Sequence, residues 1–156
     1  MATTYDSIIP EIHDLIKQQH MFFVATASHS GEVNLSPKGV TSLHILDPNR
    51  VAFVDYPGSG NQTATHLREN GRITIMLCTF EGAPAIVRLY GKGRVLTCEE
   101  AHQEGLAVVL GEDLTPLARQ IFVIDVHQVQ RSCGFGVPLY EYRGQRPRLS
   151  GHRSTL

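Results

Sequence analysis

The chain is short of the features that would announce most common activities. It holds only three cysteines, Cys78, Cys98 and Cys133, an odd number with no Cys-x-x-Cys spacing. That excludes a disulfide framework and points to free thiols in a reducing, cytoplasmic setting. Charge of one sign is also lacking: 14 lysines and arginines against 15 acidic residues leave a net charge of −1. Neither nucleic acid nor an acidic membrane surface finds an electrostatic footprint here. No apolar run approaches the roughly 20 residues that span a bilayer, and no basic-then-apolar N-terminal leader is visible. The eight histidines form no His-x-His or His-x-x-x-His pair, which argues against a transition-metal site. A Walker loop, a Gly-x-Ser-x-Gly elbow and a Gly-x-Gly-x-x-Gly fingerprint are all missing. Hydrolase and nucleoside-triphosphatase chemistry therefore lacks support.

What remains is a soluble globular composition, 42% apolar and 19% charged over 156 residues. A chain of that length buries about 70% of its unfolded surface in one domain. The pattern predicts an amphipathic helix over 7–19, with Ser7 as cap and Pro10 in its first turn. Strands are expected at 21–27, 32–36, 43–46, 50–55, 72–80, 84–96 and from 122 to 133, with hairpin turns at His29-Ser30-Gly31 and Asp47-Pro48-Asn49. Short helices are expected over 62–69, stopped by Asn70-Gly71, over 99–110 and over 114–120. Six or seven strands with few helices between them describe an antiparallel β-barrel with peripheral short helices, and not a Rossmann sheet.

The most informative segment is Asp55-Tyr56-Pro57-Gly58-Ser59-Gly60-Asn61-Gln62-Thr63, between the apolar strand ending at Val54 and a helix start. Unpartnered N–H groups and the helix dipole make such a start an anion site. Gly58 and Gly60 allow close backbone approach, while Ser59, Asn61 and Thr63 add side-chain donors. The same residues also read as a plain strand–helix connection with Asn61 as N-cap.

A second group is Ser36-Pro37-Lys38-Gly39, where a lysine between proline and glycine presents an ammonium to an anion or a ring carbonyl, or stands simply as a surface lysine. Arg88 lies inside the apolar run 85–90; solvent exposure is its default, and an inward position would require an anionic partner. A third group, Ser132-Cys133-Gly134-Phe135-Gly136, presents Phe135 for stacking on a ligand or for plugging a dimer interface. Cys133 reads as a buried packing residue, with no base or cation beside it to make it a nucleophile. The basic stretch from Arg143 to Arg153 reads as a solvated tail.

In this order, the run from Val51 to Leu77, Ser36–Gly39 before it, and Arg88-Leu89-Tyr90-Gly91 after it resemble the FMN-binding split-barrel family related to pyridoxamine 5′-phosphate oxidase. The closing Cys133–Tyr142 segment is similar to one uncharacterised branch of that family. The resemblance covers residues 7–145 and implies one FMN-binding domain over 1–145, followed by a polar tail over 146–156.

It further implies a homodimer with FMN held at the subunit interface and a small-molecule substrate for flavin hydride transfer. Lys38, with Ser36, Pro37 and Gly39, would then lie along the flavin ring. Val54, Asp55, Tyr56, Ser59, Gly60, Asn61, Gln62 and Thr63 would wrap the ribityl phosphate, with Arg88 as its charge partner. Residues 132–137 would close the ring from the partner subunit.

Two departures argue against the oxidase activity itself. The neutral Asn61-Gln62 stands where those oxidases carry a basic pair, and Arg148–His152 only loosely echoes their substrate motif. A non-catalytic module binding flavin, deazaflavin or haem in the same barrel is the alternative.

Overall fold

The computed structural model of the chain describes residues 2–58 and 60–146. Ser59 and the Arg148–His152 echo lie outside the described residues. Eight strands form one antiparallel sheet: β1 (Thr3–Tyr5), β2 (Phe22–Ala27), β3 (Val33–Lys38), β4 (His44–Asp47), β5 (Arg50–Asp55), β6 (Arg72–Cys78), β7 (Ile86–Leu96) and β8 (Gln120–Ser132). Their order is β3-β2-β6-β7-β8-β5-β4, with β1 added to β8. The expected antiparallel barrel with peripheral helices is the fold that forms. The strand missed in the sequence is β1, whose three residues pair with Val129–Arg131 of β8.

Alternation along each strand decides which residues fill the interior. Phe22, Val24, Val51, Phe53, Ile73, Ile75, Leu77, Val87 and Leu89 all point into one buried cluster. Phe53 is its centre, with its ring 5.3 Å from Phe22 and 5.0 Å from Phe122. Since β2 and β5 are not neighbours in the sheet, the Phe22–Phe53 contact spans the interior and shows how far the sheet has curled.

Strand β8 serves this interior along its whole length only because of a bulge. Tyr90 pairs with Gln128 and Gly91 with Val126, so His127 is an extra residue. It switches the inward set from Val129 to Val126, Ile124 and Phe122. A side chain at Gly91 would place its Cβ 2.5 Å from the Asp125 carbonyl, so glycine is required beside the bulge. The backbone of Val126 is satisfied by Asn49, whose carbonyl accepts its N–H at 2.7 Å and whose Nδ2 donates to its carbonyl at 3.1 Å.

Among the described residues four α-helices lie outside the sheet. Helix α1 (Pro10–Gln18) begins at Pro10, and its cap position is Ile9; Ser7 is not the cap. Proline fits the first turn because it needs no N–H partner there. Helix α2 (Gln62–Asn70) ends at Gly71 with φ 71°, the expected left-handed stop.

The helix expected over 99–110 is two pieces, α3 (Cys98–Gln103) and α4 (Ala107–Leu110). They are separated by Gly105, whose φ of 74° breaks the turn. Residues 114–120 are not helical, because the Arg119 N–H joins the Asp55 carbonyl at 2.8 Å and the chain enters β8 at Gln120. The outer faces of β5 and β8 meet α3 and α4 in a second cluster built on Val54, Ile121, Val123, Leu106 and Leu110.

Among the described residues no helix is long and apolar enough to cross a membrane. The three cysteines are free. Cys133 is exposed, contrary to the packing role expected for it, because Gly134 and not Cys133 turns in against the backbone of Ala85. The buried thiol is Cys78, and burial pushes it above its usual range.

Emptying the centre of the interior should be costly. Phe53→Ala is expected to lose about 3–5 kcal/mol, and Gly91→Ala about 1–3 kcal/mol through the clash beside the bulge. Urea unfolding of both variants measures this. A Gly91→Ala midpoint equal to that of the parent would remove the steric requirement.

Candidate functional site

The two ends of the sheet path approach each other on one side of the barrel, and Lys38 and Asp55 meet there. Lys38 closes β3 and Asp55 closes β5, with Nζ and Oδ1 3.3 Å apart. The Asp55 side chain is 6% exposed, against 22% for Lys38 and 28% for Arg119, so the carboxylate needs compensation more than either cation does. It receives that compensation in full. Oδ2 accepts from Arg119 Nε at 3.0 Å and Nη2 at 2.7 Å, and from Gln120 Nε2 at 2.9 Å.

The same two donors reach onward to the glycine turn. Arg119 Nη2 donates to the Gly60 carbonyl at 2.9 Å, and Gln120 Nε2 to Asn61 Oδ1 at 2.6 Å. Asn61 is therefore at the N-cap position of α2, but its side chain bonds Gln120 and not a helix N–H. The N–H groups of Gln62, Thr63 and Ala64 make no hydrogen bond to another described residue. The dipole of α2 is thus open at its positive end.

Thr63 is buried, and its Oγ1 accepts from Asn34 Nδ2 at 3.1 Å. Asn34 also donates to Thr26 Oγ1, which pairs with Nδ1 of the buried His66 at 3.0 Å. With its oxygen occupied by Asn34, the Thr63 hydroxyl keeps its own proton to donate.

A groove of about 540 Å³ lies against this cluster. Pro37, Lys38, Gly39, Val54, Asp55 and Tyr56 line it, as does Leu117. Ser36 is half-buried on the same face of β3 as Lys38, while Gln62 is exposed at the start of α2. Tyr56 is fixed by its hydroxyl, which donates to the Asp113 carbonyl at 2.5 Å. Two positive charges against one negative leave the Lys38–Asp55–Arg119 cluster with one positive charge in excess. A groove with that excess beside an open helix N-terminus is suited to an anionic ligand.

Arg88 is not part of this cluster. Its residue pairs with Met76 and Gln130, and it faces away from the interior that Leu89 fills, with Nη1 3.3 Å from Ser132 Oγ. Arg119 and Gln120, which belong to the Asp55 cluster, and Leu117, which lines the groove, were not marked out by the sequence. The only signal was a polar pair abutting the apolar run 121–124, inside a segment expected to be helical.

Removing the central carboxylate should expose the dependence of the cluster on it. Asp55→Asn leaves two partly buried cations facing each other and is expected to cost on the order of 2–4 kcal/mol. Thermal and urea unfolding test this, and a variant as stable as the parent would show that Asp55 does not hold the cluster.

Comparison with known proteins places this geometry. A curated relative from Aspergillus flavus, the pyridoxamine 5′-phosphate oxidase family protein ustO, is 40% identical over 144 residues. That match takes in 90% of this chain, and the chain spans 58% of the length of that relative. Among solved structures, HupZ from Group A Streptococcus matches 78% of this chain and 91% of its own, with TM-score 0.58 and 22% identity. The FAD binding protein from Mycobacterium smegmatis matches 82% of this chain and 97% of its own, with TM-score 0.55 and 14% identity. At such identities these two likenesses speak for the fold, a split barrel. The family model described as pyridoxamine 5′-phosphate oxidase matches residues 8–133, and the chain belongs to that family.

Proposed function

We propose that this chain binds FMN in the groove between β3 and β5 and works as a flavin-dependent oxidoreductase on a small molecule in the cytoplasm. The observation that carries the reading is the excess positive charge of Lys38 and Arg119 over Asp55, set beside the unpartnered N–H groups of α2. A phosphate monoester satisfies both features at once, and a flat ring system suits the apolar part of the groove beyond them. A flavin-binding relative of the same fold adds support, since the Mycobacterium smegmatis protein is described as FAD binding.

When bound, the flavin would supply the hydride chemistry. The residues of the chain do the rest. The open N–H groups of Gln62, Thr63 and Ala64, together with the Thr63 hydroxyl, would hold the phosphate. Arg119 holds the Gly60 carbonyl beside the α2 N-terminus and would add long-range attraction. Lys38, tethered by Asp55, would stand against the flavin and favour negative charge on it. This assigns the phosphate's cation to Arg119 in place of Arg88. The neutral Asn61-Gln62 pair is consistent with a helix terminus doing work that a basic pair does elsewhere in the family.

The working unit is proposed to be a homodimer with a flavin at each interface. Val33 and Leu35 project from the outer face of β3 at 69% and 65% exposure, more than a small solvated sheet needs to leave uncovered. Phe135, 85% exposed after β8, is a further apolar contact for a second copy.

Titration of the purified protein with FMN is expected to give a yellow complex of one flavin per chain, and Lys38→Ala should raise Kd at least about tenfold. A protein that takes up no FMN would overturn the reading. In light scattering the parent should run as a dimer and Leu35→Glu as a monomer; a monomeric parent would end the dimer proposal.

A further inference from the structure

The groove has two apolar jaws from distant parts of the chain, and one residue ties them together. Val40, on the loop after β3, is 60% exposed, and Leu117, on the turn before β8, is 64% exposed. Both line the groove. Large apolar side chains left open on two distant segments, in a groove that also carries the Lys38–Asp55 pair, have no folding role that the chain itself fulfils.

Their segments are nevertheless held firmly. Asp113, in the 3₁₀ turn Gly111–Asp113, accepts at Oδ2 from the Ser42 N–H and from His44 Nε2, each at 2.8 Å. Its carbonyl accepts from the Tyr56 hydroxyl. The His44 and Asp113 side chains are 17% and 19% exposed, so little water competes for these bonds. On the other side of Leu117, the turn is closed by Ala118 N–H to the Thr115 carbonyl at 2.9 Å and by Arg119 to Asp55. Leu117 is thus an exposed leucine on a turn fixed at both ends.

We propose that Val40 and Leu117 are the apolar contacts that select a flat ring, and that Asp113 is the positioning residue that sets the gap between them. The inference rests on the flavin reading and extends it. Asp113 joins the Val40 loop, through Ser42, to the Leu117 segment, to which Asp113 itself belongs. It also fixes Tyr56 in the groove wall. The site then divides its work: the α2 end takes the phosphate, and the jaws recognise the ring whatever its substituent.

That division is testable with two ligands sharing one ring, FMN and riboflavin, which lacks the phosphate. Leu117→Ala and Val40→Ala should weaken both by the same factor, about 5- to 20-fold each. Asp113→Asn should do likewise and blur the resolved visible bands of the bound flavin toward those of free flavin. In the ligand-free protein the same variant should speed amide exchange at Ser42, and His44→Gln, which removes one bond only, should give a smaller change in the same direction. Affinities for both flavins within twofold of the parent in the jaw variants would overturn the ring contacts. A loss confined to FMN would overturn them too, since it would report on the phosphate. Unchanged exchange at Ser42 would overturn the role of Asp113 even if both flavins bind. A parent protein that binds neither flavin would instead bring down the flavin reading and this inference with it.

Discussion

A single sheet encloses an interior only if its ends are brought round to each other, and hydrogen-bonded ladders do not do this here. In the order β3-β2-β6-β7-β8-β5-β4, the strands β3 and β4 are unpaired on their outer sides. Closure depends on side chains, and Asp55 is the hinge of it. Its buried carboxylate holds Lys38 from one end of the sheet and Arg119 from the approach to β8. The electrostatic requirement and the architectural one are the same. A carboxylate at that depth is tolerable only with cations against it; Arg119 reaches it from just before the neighbouring strand, but Lys38 reaches it only if the sheet is curled. The split between the ends is therefore also the place where charge and ligand space coincide.

The turn at 57–61 shows how the local and the distant combine. Its glycines and its position before a helix follow from neighbouring residues. Gly60 and Asn61 are held by Arg119 and Gln120, which lie 59 positions away from them. An anion at the α2 terminus would meet Gly60 and Asn61 already held by the cluster behind them. Preorganisation of this kind spares a ligand much of the ordering cost on binding.

Much of this fold was legible as pattern. Alternation located β2, β5, β6 and β7 closely, and Asn70-Gly71 marked the end of α2 where the left-handed glycine stands. What escaped was set by partners and not by neighbours. The three residues of β1 have a reason to be a strand only because the edge of β8 beyond its bulge is vacant. Residues 114–120 have helical spacing, yet the ladder to Asp55 claims Arg119. In the site, Lys38, Asp55, Tyr56 and Thr63 stood out by residue type beside glycine or proline. Arg119, Asp113 and Leu117 carry no such mark, and their importance exists only once 64 or so residues of intervening chain have been folded. Arg88, a charged residue in an apolar run, is set by strand parity on the outer face, apart from the Lys38–Asp55–Arg119 cluster.

Strand alternation along β5 and β8 separates two interiors that share strands without sharing side chains. Phe53, Phe122 and Ile124 belong to one; Val54, Ile121 and Val123, their immediate neighbours, belong to the other with Leu106 and Leu110. The segment from α3 to Leu117 rests wholly on the second. Its sequence and length can therefore drift without disturbing the barrel's centre, because no large side chain is common to both. Descendants of one such barrel can acquire differently shaped grooves while inheriting the same folding nucleus, so that diversification of ligands is uncoupled from the risk of losing the fold.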